Sequence, residues 1–169
     1  MINKTQLATI LLATQLAGAA FAQQNSPGSS SADSGSKLHW QFSPYTYHYT
    51  PDDAHKNVWM VGLEREQVGG KVDGITFFSN SFGQPCVYIY PWGETYHGIA
   101  GIQSLSFKWT AGLLYGYKDA YEDKVPYNHN GFSPAIIPAL EYEFKPGLSV
   151  QVDLLGTAAM MFQVNMPFK

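Results

Sequence analysis

From residue 38 to the end of the chain, apolar side chains recur at every second position. In SFKWTAGLLYGY, Phe107, Trp109, Ala111, Leu113 and Tyr115 alternate with Ser106, Lys108, Thr110, Gly112 and Gly116, so one face is apolar and the other small or polar. LSVQVDLL repeats the pattern with Leu148, Val150, Val152 and Leu154 against Ser149, Gln151 and Asp153. The last segment sets Met160, Phe162, Val164, Met166 and Phe168 against Met161, Gln163 and Asn165. A period of two is the β-strand repeat, because successive side chains point to opposite faces of a sheet. Gly, Pro and Asp clusters punctuate the pattern at turn spacing, and no stretch carries a convincing helical period. The sequence therefore predicts an all-β chain with strands over 38–48, 58–66, 73–81, 86–92, 105–117, 132–144, 148–155 and 158–168.

Eight alternating strands of this length suit a soluble barrel or sandwich with its apolar face inside, or an antiparallel transmembrane β-barrel with its apolar face toward lipid. Three features favour the membrane barrel. Trp40, Trp59, Trp92 and Trp109, with many tyrosines, fall mostly near strand ends, where interfacial girdles lie. The chain ends on an aromatic, Phe168, followed by Lys169. Its opening, MINKTQLATILLATQLAGAAFAQQ, has Lys4, an apolar run and an Ala20-Phe21-Ala22 cleavage pattern, which together read as a signal peptide over 1–22. Residues 23–36 form a Ser/Gly-rich tract expected to be disordered, which leaves 37–169 for an eight-stranded outer-membrane barrel.

Charge and cysteine content narrow the function classes. A net charge of −3 without a basic block argues against nucleic acid as a partner. A lone Cys86 permits no internal disulfide, so core or membrane must hold the chain together. No histidine pair has metal-ligand spacing and no cofactor motif occurs, so no metal or cofactor is expected. His39 and His97 read as residues of the periplasmic side, and His55 and His129 as solvated loop residues. Glu64, Glu141, Glu143 and Asp153 read as lumen or rim carboxylates.

In an even-stranded barrel with both termini periplasmic, the connections after the first, third, fifth and seventh strands face outward. His48 ends the first strand, and Asn80 and Ser81 end the third, so a histidine, an amide and a serine collect at one rim. The local reading of Asn-Ser-Phe-Gly is a turn, since Asn and Ser bond nearby backbone and Gly83 tolerates positive φ. The chemical reading is acyl transfer: an ester carbonyl is attacked by an activated hydroxyl whose proton a histidine accepts. Two prolines, Pro134 and Pro138, fall in the sixth strand and imply an interrupted wall, since proline donates nothing to a ladder.

These residues carry a family resemblance. Tyr47-His48, Phe78-Ser79-Asn80-Ser81, Trp109-Thr110-Ala111-Gly112 and the proline-punctuated SPAIIPALEYEFKPG resemble, with gaps over about residues 44–168, the outer-membrane lipid A palmitoyltransferases of the PagP family. The resemblance implies a monomeric barrel that takes an acyl chain from a phospholipid and places it on lipid A. His48 and Ser81 match the family's His and Ser, and Asn80 stands where it has Asp, so that the amide orients the ring in place of an acid. Pro91 stands where the family has a pocket-floor glycine, and the chain offers its Ser/Gly tract in place of the family's leading helix. Small lumen residues Gly62, Thr110, Gly112 and Gly116 are expected to leave acyl-sized space, with Pro134 and Pro138 marking a lateral entrance. The alternative is a non-enzymatic outer-membrane barrel with a lipid-binding, structural or transport role.

Overall fold

Alternation along the chain closes into a wall. The computed structural model describes residues 35–168, so the expected signal peptide and all but the end of the Ser/Gly-rich tract lie outside the described residues. The described residues form strands β1 (Lys37–His48), β2 (Met60–Glu66), β3 (Val72–Ser79), β4 (Pro85–His97), β5 (Leu105–Tyr115), β6 (Phe132–Lys145), β7 (Leu148–Leu155) and β8 (Ala159–Pro167). Each pairs antiparallel with its sequence neighbour, and β8 returns to β1 to close the barrel, which leaves the sheet without a free edge strand. The connections 49–59, 80–84, 116–131 and 156–158 gather at the His48 end, as the strand count predicts, and the short ones 67–71, 98–104 and 146–147 at the other. A 3-10 turn, Asp119–Lys124, shapes the longest of them.

The two faces of the wall have opposite chemistry. Trp40, Phe42, Val61, Phe77, Ile89, Trp92, Leu113, Ile136, Leu140, Val150 and Phe162 are exposed, while Gln41, Glu64, Thr76, Lys108, Thr110, Gln151 and Gln163 are buried. The inside is itself divided. Near the His48 end it is apolar, with Val58, Met60 and Met161 in one cluster and Tyr88, Tyr90 and Leu114 in another, and Phe78 packs against both. Toward the other end it is ionic. Lys108 Nζ lies 2.6 Å from Glu64 Oε1 and 2.8 Å from Glu141 Oε2, and donates to Gln151 Oε1 at 3.2 Å. Tyr90 donates to Gln41 Oε1 at 3.0 Å and Glu64 Oε2 at 3.2 Å. With Lys108 and Glu64 almost wholly enclosed, the pairing compensates charges whose isolated burial would be prohibitive.

Two departures from a regular ladder matter later. The sequence pattern ends the fourth strand at residue 92, whereas β4 continues to His97. The β4–β5 register shifts between Ile89 and Trp92, so that Tyr90 and Pro91 together oppose Gly112. Such a bulge leaves an extra residue unpaired, which is where a proline fits without costing a hydrogen bond. Pro44 occupies a comparable shift between Phe42 and Tyr45 where β1 meets β8. The other departure is in β6, whose residues 132–138 pair with β5 but not with β7. Its ladder with β7 begins at Ala139 opposite Asp153.

Candidate functional site

The rim at the end of β1 brings His48 and Ser81 together. His48 is the last residue of β1, and Ser81 sits in the turn that joins β3 to β4. Its Oγ lies 2.5 Å from His48 Nε2, across 33 positions of sequence. Both are part-buried, so the pair is sheltered yet reachable from the rim.

Asn80 builds the turn that presents Ser81. Its side chain is nearly inaccessible, at 1 % exposure. Oδ1 accepts from the backbone N–H of Phe82 at 3.0 Å and of Gln84 at 2.9 Å, while Nδ2 donates to Gln84 Oε1 at 3.1 Å. Its backbone closes the same loop: its N–H donates to Gln84 O and its carbonyl accepts from Gly83, each at 2.9 Å. Gly83 has φ +81°, a conformation that strains a residue carrying Cβ. The amide is thus turned into its own loop, its oxygen on the backbone, the local chemistry for which Asn is favoured in turns.

A residue read from the sequence as a solvated loop histidine joins the site. The rings of His48 and His55 lie 4.2 Å apart at 33°, and His55 meets Phe82 edge-on at 5.7 Å. Phe82 in turn stacks on Tyr121 at 4.1 Å and 10°, linking the 49–59, 80–84 and 116–131 connections. The backbone N–H of Lys56 donates to the carbonyl of Ser81 at 2.7 Å and ties the first connection directly to the serine.

The remaining candidates lie on the strands, apart from Gly116, which opens the 116–131 connection at this rim. Pro91 is exposed on the β4 bulge, and Gly112 faces it. A Cβ on Gly112 would come 2.6 Å from Tyr90 Cα, one on Gly62 2.6 Å from Thr76 Cγ2, and one on Gly116 2.6 Å from Pro85 O. Neighbouring atoms therefore take up the space these glycines free. Pro134 and Pro138 stand opposite Leu113 and Trp109 in the part of β6 that has no β7 partner, the interruption their sequence positions imply. A groove of about 550 Å³ runs beside the 80–84 turn, lined mainly by apolar residues that include Trp59, Phe77, Val87 and Tyr115, with Ser79 and Gly83 at its edge.

The opposite mouth carries a second histidine arrangement that the sequence does not signal. His97 Nε2 lies 2.7 Å from Glu66 Oε1 and its Nδ1 lies 3.0 Å from Ser106 Oγ. Since His97 and Ser106 are register partners, the contact joins the β4–β5 hairpin to the end of β2. No group of three His, Cys, Asp or Glu among the described residues is placed to hold a metal ion.

No protein-family model matches the chain, and no curated protein matches it.

Proposed function

We propose that this chain is a bacterial outer-membrane acyltransferase that moves an acyl chain from a phospholipid to lipid A. The observation that carries the reading is the 2.5 Å contact between His48 Nε2 and Ser81 Oγ, a nucleophile and a base in hydrogen-bond reach on a wall whose outer face is apolar. An exposed apolar belt of this extent is unfavourable in water and suits lipid, and a closed barrel leaves no unpaired edge there. The apolar half of the interior lies on the same side as the dyad, and the apolar groove of about 550 Å³ beside the 80–84 turn is where an acyl chain would lie. The unpaired stretch of β6 at Pro134 and Pro138 would be its lateral way in, and the protein would act as a monomer.

In this reading His48 is the base. As Ser81 Oγ bonds to the carbonyl carbon of the donor ester, its proton passes to Nε2. The acyl C–O bond then breaks, and the departing lipid oxygen takes that proton. The lipid A hydroxyl attacks the acyl-serine in the same way, its proton returning through Nε2 to Oγ.

A second reading, a non-enzymatic barrel with a lipid-binding, structural or transport role, is favoured by one observation. Asn80 spends its amide on its own turn and is no acid, so His48 lacks at that position the charge that the resembling family carries. Mass spectrometry of lipid A from cells with and without the protein separates the two. Acyl transfer adds a species heavier by one acyl chain that disappears in Ser81→Ala, whereas identical lipid A profiles exclude the enzyme.

A further inference from the structure

A base that takes a proton from a nucleophile is held in place by a third group. In the rim site that group is not Asn80, whose side chain is turned into the 80–84 loop. The ring that does lie on His48 is His55, at 4.2 Å.

We infer that His55 is the positioning residue of this site, a flat ring clamped over His48 that holds its Nε2 on Ser81. The inference rests on the acyl-transfer reading of the dyad. His55 does not touch the reacting atoms, so its contribution is to the orientation of the base.

The local backbone supports that role from both sides of the residue. Before it, Asp52 makes a turn: its Oδ1 accepts from the backbone N–H of Ala54 at 2.9 Å, and its carbonyl from that of His55 at 2.9 Å. After it, Lys56 N–H is fastened to the carbonyl of Ser81 at 2.7 Å. His55 is therefore fixed relative to the very residue that His48 must face. Phe82 also meets the ring edge-on and is itself backed by Tyr121, with Lys124 Nζ 5.9 Å from the Phe82 centroid. A ring packed between a turn, a backbone tie and an aromatic stack has few rotamers left, and it restricts the imidazole beside it.

The test uses the full chain in mixed micelles of dipalmitoyl phosphatidylcholine and lipid A, with two measurements. In the first, transfer kinetics, His55→Ala lowers kcat by roughly ten- to a hundredfold, the scale of a misplacement of about 1 Å, with KM nearly unchanged. His55→Phe, which keeps a flat ring, recovers most of that loss. Wild-type kcat in His55→Ala, or His55→Phe as impaired as His55→Ala, overturns the inference. The second is the imidazole ¹⁵N NMR signals of His48, which shift in His55→Ala and stay near wild type in His55→Phe. Retained heat-modifiable gel mobility shows that both variants are folded. If the wild-type protein transfers no acyl chain, the acyl-transfer reading fails by itself. The NMR measurement then decides the positioning role, and His48 signals unmoved by His55→Ala overturn it.

Discussion

Asn80 makes three side-chain hydrogen bonds within its own turn, two accepted at Oδ1 and one donated from Nδ2. Asn80→Asp keeps both accepted bonds, and so keeps its carboxylate turned into the loop and not onto His48, at the cost of a repulsion with Gln84 Oε1 that the Gln84 amide, held by the N–H and carbonyl of Lys118, cannot turn over to relieve. Transfer by that variant should therefore stay within about threefold of wild type, a difference of well under 1.4 kcal/mol. Asn80→Ala removes the acceptor for two backbone amides and should cost about 1–3 kcal/mol in thermal unfolding. Ser81→Ala and His48→Ala behave oppositely: each should lower transfer by about 10²–10⁴-fold while the barrel keeps its heat-modifiable mobility. His48 and Ser81 were legible in the sequence because strand parity alone puts the ends of the first and third strands at one rim. His55 was not, since the 49–59 connection has no period and its place depends on a bond between main-chain atoms that any residue but proline at position 56 would supply.

Strands were easier to read than their ends. Period two located all eight, and the seventh matches to the residue, because alternation reports the side of the sheet on which each residue lies. It reports nothing about a bulge, so the fourth strand read as ending at residue 92, whereas the extra residue at Pro91 lets β4 bend and continue to His97. Gly112 is the other half of that device. Its missing Cβ is what admits the Tyr90 backbone, so the atom added in Gly112→Ala would meet main chain that cannot rotate away. We expect that substitution to destabilise the barrel by about 1–3 kcal/mol, seen as a lower midpoint in denaturant with secondary structure retained by circular dichroism. Alanine at Gly69, where nothing lies within 4 Å of the added atom, is not a fair control because its φ of +89° strains any side chain; Gly35 is the open site without that strain.

For the molecule as a whole, the interior divides the labour: ions hold one half together, and apolar side chains fill the half beneath the dyad. Lys108→Met leaves Glu64 and Glu141 facing each other without the ammonium that both contact, and should cost about 3–5 kcal/mol. Adding Glu64→Gln and Glu141→Gln to that variant should restore most of the loss, and thermal unfolding in detergent measures both steps. The wall around this interior is interrupted along residues 132–138 of β6, which lack a β7 partner, and along residues 44–48 of β1, which lack a β2 partner. A sheet margin that stands open usually invites another chain to add a strand, the first step of domain swapping and of fibril growth. Pro134 and Pro138 supply no N–H to that margin, so a second copy meeting it finds no regular row of donors to zip along. The same two residues that leave this stretch of the wall incomplete also keep it from growing into a neighbour.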